Sequence, residues 1–250
     1  MKHRYSMKKR QLLLTFVLMS VSLFLKAQET GYPIIRNYPS KEYNNSPQIR
    51  CSIQDNRGIL YFGSRDLIEY DGVSWRNVQC ANVLRAYDFA KDKNGRIYVA
   101  ALDEFGYLAF DKKGNTVFKS LKPLLKDSTL KLGIVRSVKL NSEFVYFQSI
   151  DVILQYSPSS NQLLSFKAET NENYGGGFIF NDSYYLKSSK SGLLEIENSQ
   201  IRPHLQSGFF KDKNSLINLG MQYNDTALLV PTNIGDLFLA QPTRMSLPKN

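Results

Sequence analysis

One repeated unit constrains this chain more than any other feature. An apolar strand runs into a tight turn opened by Asp or Asn, and a second apolar strand follows. Ser52-Ile53-Gln54-Asp55-Asn56-Arg57-Gly58-Ile59-Leu60-Tyr61-Phe62-Gly63 and Phe89-Ala90-Lys91-Asp92-Lys93-Asn94-Gly95-Arg96-Ile97-Tyr98-Val99-Ala100 are its clearest copies. An Asp at the head of such a turn bonds back to the turn backbone, and the Gly at its end takes positive φ. Apolar runs on both sides make each copy a hairpin. Weaker copies turn at 141–143 before Tyr146, at 181–183 before Tyr185 and at 224–226 before Leu229. Taking Tyr61, Tyr98, Tyr146, Tyr185 and Leu229 as equivalent, the mean period is about 42 residues.

A third strand follows every hairpin, at 66–72, 105–111, 152–156, 191–196 and 234–239. A fourth is visible in the first three units, as at Ser74-Trp75-Arg76-Asn77-Val78, but none is clear after Leu239. Four short strands in each repeat describe an all-β chain of β-propeller blades. We place five blades around 46–80, 84–121, 134–168, 174–206 and 215–250. A β-sandwich with irregular hairpins is the alternative. Only Ser120 to Lys131 could form a helical turn. The residues that define the blade turns are Asp55, Gly58, Tyr61, Asp71, Gly72, Trp75, Asp92, Gly95 and Tyr98.

Charge at first points elsewhere. The chain has 32 Lys+Arg against 22 Asp+Glu, a formal +10 that would suit nucleic acid or a membrane surface. Six of those bases (Lys2, Arg4, Lys8, Lys9, Arg10 and Lys26) lie in residues 1–27, which hold no acid. There, a basic start precedes the apolar run from Leu12 to Leu25, with Ala27 at a plausible cut. This is the layout of a secretory signal peptide over 1–27, ahead of an exported domain over 28–250. The run falls short of the about 20 apolar residues that span a bilayer. An uncleaved N-terminal anchor is the alternative. With the excess assigned to export, the segment is expected to make no nucleic-acid contact.

The remaining chemistry is sparse. Two cysteines exclude a disulfide-dense mini-domain and a four-Cys zinc site. Cys51 and Cys80 could pair in an oxidising compartment, although Cys51 sits where a small buried strand residue is expected. Asp55, Asp92 and Asp111 recur as turn formers rather than as a converging catalytic set. Asp66, Glu69, Asp103 and Glu104 lie near third strands and read as solvated loop charge, with a glycan or cation contact as the alternative. Gly175-Gly176-Gly177 precedes a strand rather than a helix, so it reads as a loop or bulge ahead of the inner strand of blade 4 and not a phosphate cradle. His204, the one histidine outside the leader, stands without a triad. The aromatics, 15 Tyr, 15 Phe and one Trp, suffice for glycan stacking, but most fall where they would fill inter-blade cores. No catalytic, cofactor or metal residues are assigned.

Several segments resemble the opening of the bacterial two-component-regulator propeller proteins. They are Gly31-Tyr32-Pro33-Ile34-Ile35-Arg36-Asn37-Tyr38, Ser46-Pro47-Gln48, Gln54-Asp55-x-x-Gly58, Tyr61-Phe62-Gly63 and Glu69-Tyr70-Asp71-Gly72-Val73-Ser74-Trp75-Arg76. The likeness is tight over 31–76, fair over 84–115 and without diagnostic motifs from 130 on. Arg65-Asp66-Leu67 departs from it, since a glycine usually opens the third strand there. The resemblance implies an extracytoplasmic sensor of seven-bladed type, without catalysis of its own. It also implies a following immunoglobulin-like domain, a membrane helix and an output module such as a histidine kinase, none of which this chain contains. The expected partner is a small molecule or a glycan. Membrane contact would come only through that missing helix or an uncleaved leader. A carbohydrate-active propeller lyase or hydrolase and a structural or adhesion propeller are the alternatives. Seven blades need roughly 300 residues, so the five present are expected to form an incomplete ring with bare blade faces. A truncated or fragmentary product, or self-association, would follow.

Overall fold

The computed structural model describes residues 35–81, 84–204, 220–224, 226–231, 237–241 and 244–246, together with Phe16. The signal peptide expected over 1–27 lies outside these residues apart from Phe16. Contacts divide the chain between Asn37 and Tyr38. From Tyr38 onward the described residues form five four-stranded antiparallel sheets in strict chain order, a five-bladed β-propeller arc. The fold is the one expected from the repeat.

Blade 1 comprises β1 (Cys51–Gln54), β2 (Leu60–Gly63), β3 (Leu67–Tyr70) and β4 (Trp75–Asn77). Blade 2 comprises β5 (Ala86–Lys91), β6 (Ile97–Ala101), β7 (Glu104–Phe110) and β8 (Thr116–Ser120). Blade 3 comprises β9 (Ser137–Leu140), β10 (Val145–Gln148), β11 (Val152–Ser157) and β12 (Gln162–Lys167). Blade 4 comprises β13 (Tyr174–Phe180), β14 (Ser183–Ser188), β15 (Gly192–Glu197) and β16 (Gln200–Pro203). Blade 5 comprises β17 (Met221–Asn224), β18 (Ala227–Pro231), β19 (Leu237–Gln241) and β20 (Arg244–Ser246). The first strands β1, β5, β9 and β13 lie beside one another, so they are the inner strands.

Burial follows from this stacking. A middle strand is covered on both faces by neighbouring blades, so β6, β10 and β11 are buried at every residue. They read as continuous apolar runs, as doubly covered strands do. The outer strands β12 and β16 are mostly exposed. Three cores separate the first four blades. Tyr61, Leu67, Phe89 and Val99 meet between blades 1 and 2. Tyr98, Phe105, Val138 and Phe147 meet between blades 2 and 3. Tyr146, Ile153, Tyr184 and Leu194 meet between blades 3 and 4. Each such side chain contributes about 1.5–3 kcal/mol on full burial.

Three features differ from the sequence reading. Blade 5 has a fourth strand after all, since β20 pairs with β19 through Leu239↔Ser246 and Ala240↔Met245. It is three residues long and reads as loop because Gln241-Pro242-Thr243 interrupts the pattern. Gly175 to Gly177 belong to β13 itself, where the register shifts between Tyr174 and Gly177. A Cβ on Gly177 would overlap the Tyr184 hydroxyl and come within 2.6 Å of Gln148 Oε1, so close packing explains the glycine.

The third difference concerns the leading face of the arc, which is not bare. Paired residues share a face, so Phe62, Ile68, Tyr70 and Trp75 point away from blade 2. Tyr38 and Tyr43 lie across that face, with ring centroids 5.4 and 5.2 Å from Trp75. Trp75 stacks on Tyr70 at 4.4 Å, and Ile68 retains 1% of its exposure. The helical turn appears as a single 3-10 turn, Lys122–Leu124, with Pro123 in its first turn.

Candidate functional site

Each blade presents two ends. One carries the hairpin turns between first and second strands and between third and fourth. The other carries the segments that enter each first strand and the links between second and third strands.

At the turn end, one geometry recurs. Asp55 Oδ1 accepts the N–H groups of Arg57 at 2.8 Å and Ile59 at 3.0 Å. Asp92 Oδ1 accepts those of Asn94 and Arg96, both at 2.9 Å. Asp111 Oδ1 accepts those of Lys113 and Asn115, both at 2.8 Å. Gly58 and Gly95 close the first two turns at φ of 90° and 85°, in the left-handed region that glycine enters without steric cost. Asp71 holds the Val73 and Ser74 N–H groups at 2.9 and 2.8 Å, with Gly72 between them at φ 97°.

The tyrosine of the second strand completes the unit. Tyr61 donates to Asp55 Oδ2 at 3.3 Å, and Tyr98 donates to Asp92 Oδ2 at 3.5 Å. Tyr146 accepts from Asn141 Nδ2 at 3.3 Å. A ring buried between blades thus satisfies its polar tip at its own turn. Burial pushes the Tyr98 hydroxyl up to about 12, and nearby Asp92 adds to this. Burial also opposes ionisation of Asp55. The Arg57 guanidinium and the N–H groups of Ile59 and Arg57 still hold it below its ordinary value.

The other acids are also engaged. Glu69 pairs with Arg76 at 2.9 Å, Asp66 with Arg65 at 3.2 Å and Asp103 with Lys122 at 2.7 Å. Glu104 accepts the Ser120 hydroxyl at 2.7 Å. These contacts lie within single blades or run to the next loop, and no group of three His, Cys, Asp or Glu among the described residues could hold a metal. Cys51 and Cys80 are free thiols. Burial raises them to about 12 and about 11, with nearby acids adding to it. His204 packs edge-on to Tyr185 at 5.5 Å. Trp75 is committed to the aromatic cluster on the leading face.

Several hollows lined by described residues are open to a ligand, including two of about 330 Å³ walled in part by Asp103 and Glu104 and by Asp55 and Tyr61. A groove of about 750 Å³ at the turn end runs between blades 2 and 3, walled by Lys91–Asn94 and Asn141–Val145. A cavity of about 500 Å³ at the entry end is walled by Asn45, Ser46, Pro47, Arg50, Arg65 and Arg85. Arg50 and Arg85 immediately precede β1 and β5, and Arg136 precedes β9. The sequence reading missed these arginines. Their recurrence one residue ahead of an inner strand was the available signal.

No family model and no curated protein matches the chain. Among solved structures it is similar to the extracellular domain of a B. thetaiotaomicron protein described as a hybrid two-component system. The TM-score is 0.56 at 18% identity, over 80% of this chain and 27% of that one. It is similar to virginiamycin B lyase from Staphylococcus aureus at TM-score 0.58 and 14% identity, over 80% of this chain and 70% of that one. It is also similar to the WD40 β-propeller domain of Doa1, at 0.57 and 13%, over 82% and 69%. These likenesses establish the β-propeller fold. The chain spans about a quarter of the length of the first of these structures.

Proposed function

We propose that this chain is an extracytoplasmic, ligand-binding propeller segment of a two-component-type regulatory protein, and that it acts by binding rather than by catalysis. The observation that carries this reading is the commitment of its acids. Asp55, Asp71, Asp92 and Asp111 hold turn backbones, while Asp66, Glu69 and Asp103 are paired with bases. A carboxylate pair for glycosidic chemistry has to converge on one bond about 5–10 Å across, with one member kept protonated. Here Asp55, Asp71, Asp92 and Asp111 sit on successive turns, and Asp55, Asp71, Asp103 and Asp111 are held below their ordinary pKa.

The resemblance over residues 31–76 supports the two-component assignment. The structural likeness to an extracellular sensor-system domain accords with it. Ligand binding at one end of the blades would bias how the propeller packs on whatever follows, and so change output. Among the described residues no helix is long and apolar enough to cross a membrane.

The test is a thermal-shift screen of the protein against small metabolites and oligosaccharides, followed by chromatography of every hit. A ligand that raises Tm and is recovered unchanged supports the reading. Conversion of the ligand would favour a propeller enzyme. Silence across all classes would favour a structural or adhesion role.

A further inference from the structure

The cavity at the entry end has an unusual wall. Three of its six residues are arginines, and none is an acid. Arg50 is held in place by neutral acceptors. Its guanidinium donates to Gln48 Oε1 at 2.7 Å and to the Ser64 carbonyl at 3.3 Å, and it lies over the Tyr87 ring at 5.3 Å. These contacts orient the fork without neutralising it. Arg85 makes no ion pair among the described residues, and of the three only Arg65 has a carboxylate partner, Asp66 at 3.2 Å. Asp88, on the strand that Arg85 precedes, is engaged by Lys139 at 3.2 Å and by the Val138 N–H at 3.0 Å. Like charges facing one hollow repel each other.

An anion would relieve this repulsion. Guanidinium forks match the paired oxygens of carboxylate and sulfate, and such charge-assisted bonds are roughly twice as strong as neutral ones. Asn45, Ser46 and Pro47 form the remaining wall. Asn45 is itself fixed, since its Oδ1 accepts the Ser46 N–H at 2.7 Å. A volume of about 500 Å³ is within the range of small-ligand pockets.

We infer that the open hollow walled by Arg50, Arg65 and Arg85 binds an anionic ligand bearing carboxylate or sulfate groups. This deepens the ligand-binding reading above and rests on it only for the claim that binding is signalled. Arg136 holds the equivalent chain position, one residue ahead of β9.

The test is titration calorimetry of the whole protein with trigalacturonate, inorganic sulfate and neutral galactotriose. Trigalacturonate is expected to bind, more weakly as salt is raised, with sulfate competing and galactotriose silent. Arg50→Gln and Arg85→Gln should each weaken binding at least about tenfold. Arg202→Gln, on the outer strand of blade 4, should leave it unchanged, and circular dichroism checks that each variant is folded. Trigalacturonate binding that ignores both arginine variants overturns the inference, as does failure of both anions to bind. Galactotriose binding that ignores the arginines also overturns it, while leaving the ligand-binding reading intact. Arginine-dependent binding accompanied by cleavage keeps the anion site and removes the non-catalytic reading.

Discussion

Asp71 shows how much a single exposed carboxylate does in a blade turn. Hydrogen bonds from the Ser74 and Val73 N–H groups hold it down to about 2, against an ordinary 3.8. A folded pKa below the unfolded one contributes stability above the unfolded value, and that stability is lost as pH falls through the folded value. Unfolding experiments should therefore show stability declining between about pH 4 and pH 2, with a smaller decline in Asp71→Asn. Asp111 and Asp127 are lowered by similar local bonds and add to the same window. This chemistry was legible in the sequence because donor and acceptor lie two to four residues apart. Gly177 was not legible in the same way. Its need for a bare Cα comes from Tyr184 across the hairpin and Gln148 in the preceding blade. Gly177→Ala should cost about 1–3 kcal/mol as an overpacking change, read as a lowered Tm.

At the scale of the element, legibility tracked burial. Second and third strands are covered on both faces, so their apolar runs stood out. The fourth strands of blades 4 and 5 went unrecognised, the one only four residues long and mostly exposed, the other only three residues long. The stacking of Tyr184 on Tyr146, with centroids 4.3 Å apart, was also hidden. It joins two blades and needs the register of both. Beneath that stack, Tyr146 accepts bonds from Asn141 Nδ2 at 3.3 Å and Gln155 Nε2 at 3.2 Å. Tyr146→Phe leaves the buried Gln155 amide without this partner, so we expect a loss of about 1–3 kcal/mol in chemical denaturation. The same exchange at Tyr223, which is exposed, should be close to neutral.

For the propeller as a whole, the leading face of blade 1 offers a direct readout. Trp75 is the one tryptophan in the chain, so intrinsic tryptophan fluorescence reports on that face alone. With Tyr38, Tyr43, Phe62 and Tyr70 around it, its emission should be blue-shifted relative to the unfolded chain. Tyr38→Ala removes the ring contacts to Tyr70 and Trp75 and the 3.1 Å hydroxyl bond to Tyr70. It should shift emission to the red and cost about 1–3 kcal/mol of stability, as expected for a partly buried aromatic, read as a lowered Tm. Unchanged emission would mean that the segment from Tyr38 does not cover the face in solution.

The repeat by itself determined the fold class, an all-β chain of stacked four-stranded blades joined by tight turns. Those features depend on hydrogen bonds and side-chain alternation within a few residues, and such signals survive in a linear reading. The tertiary structure decided what the turns could not. It brought residues 50, 65 and 85 to one cavity and laid residues 38–43 across the first blade. It also paired Asp88 of blade 2 with Lys139 of blade 3. Each of these depends on blades packing side by side, which sets distances between residues that lie far apart in the chain.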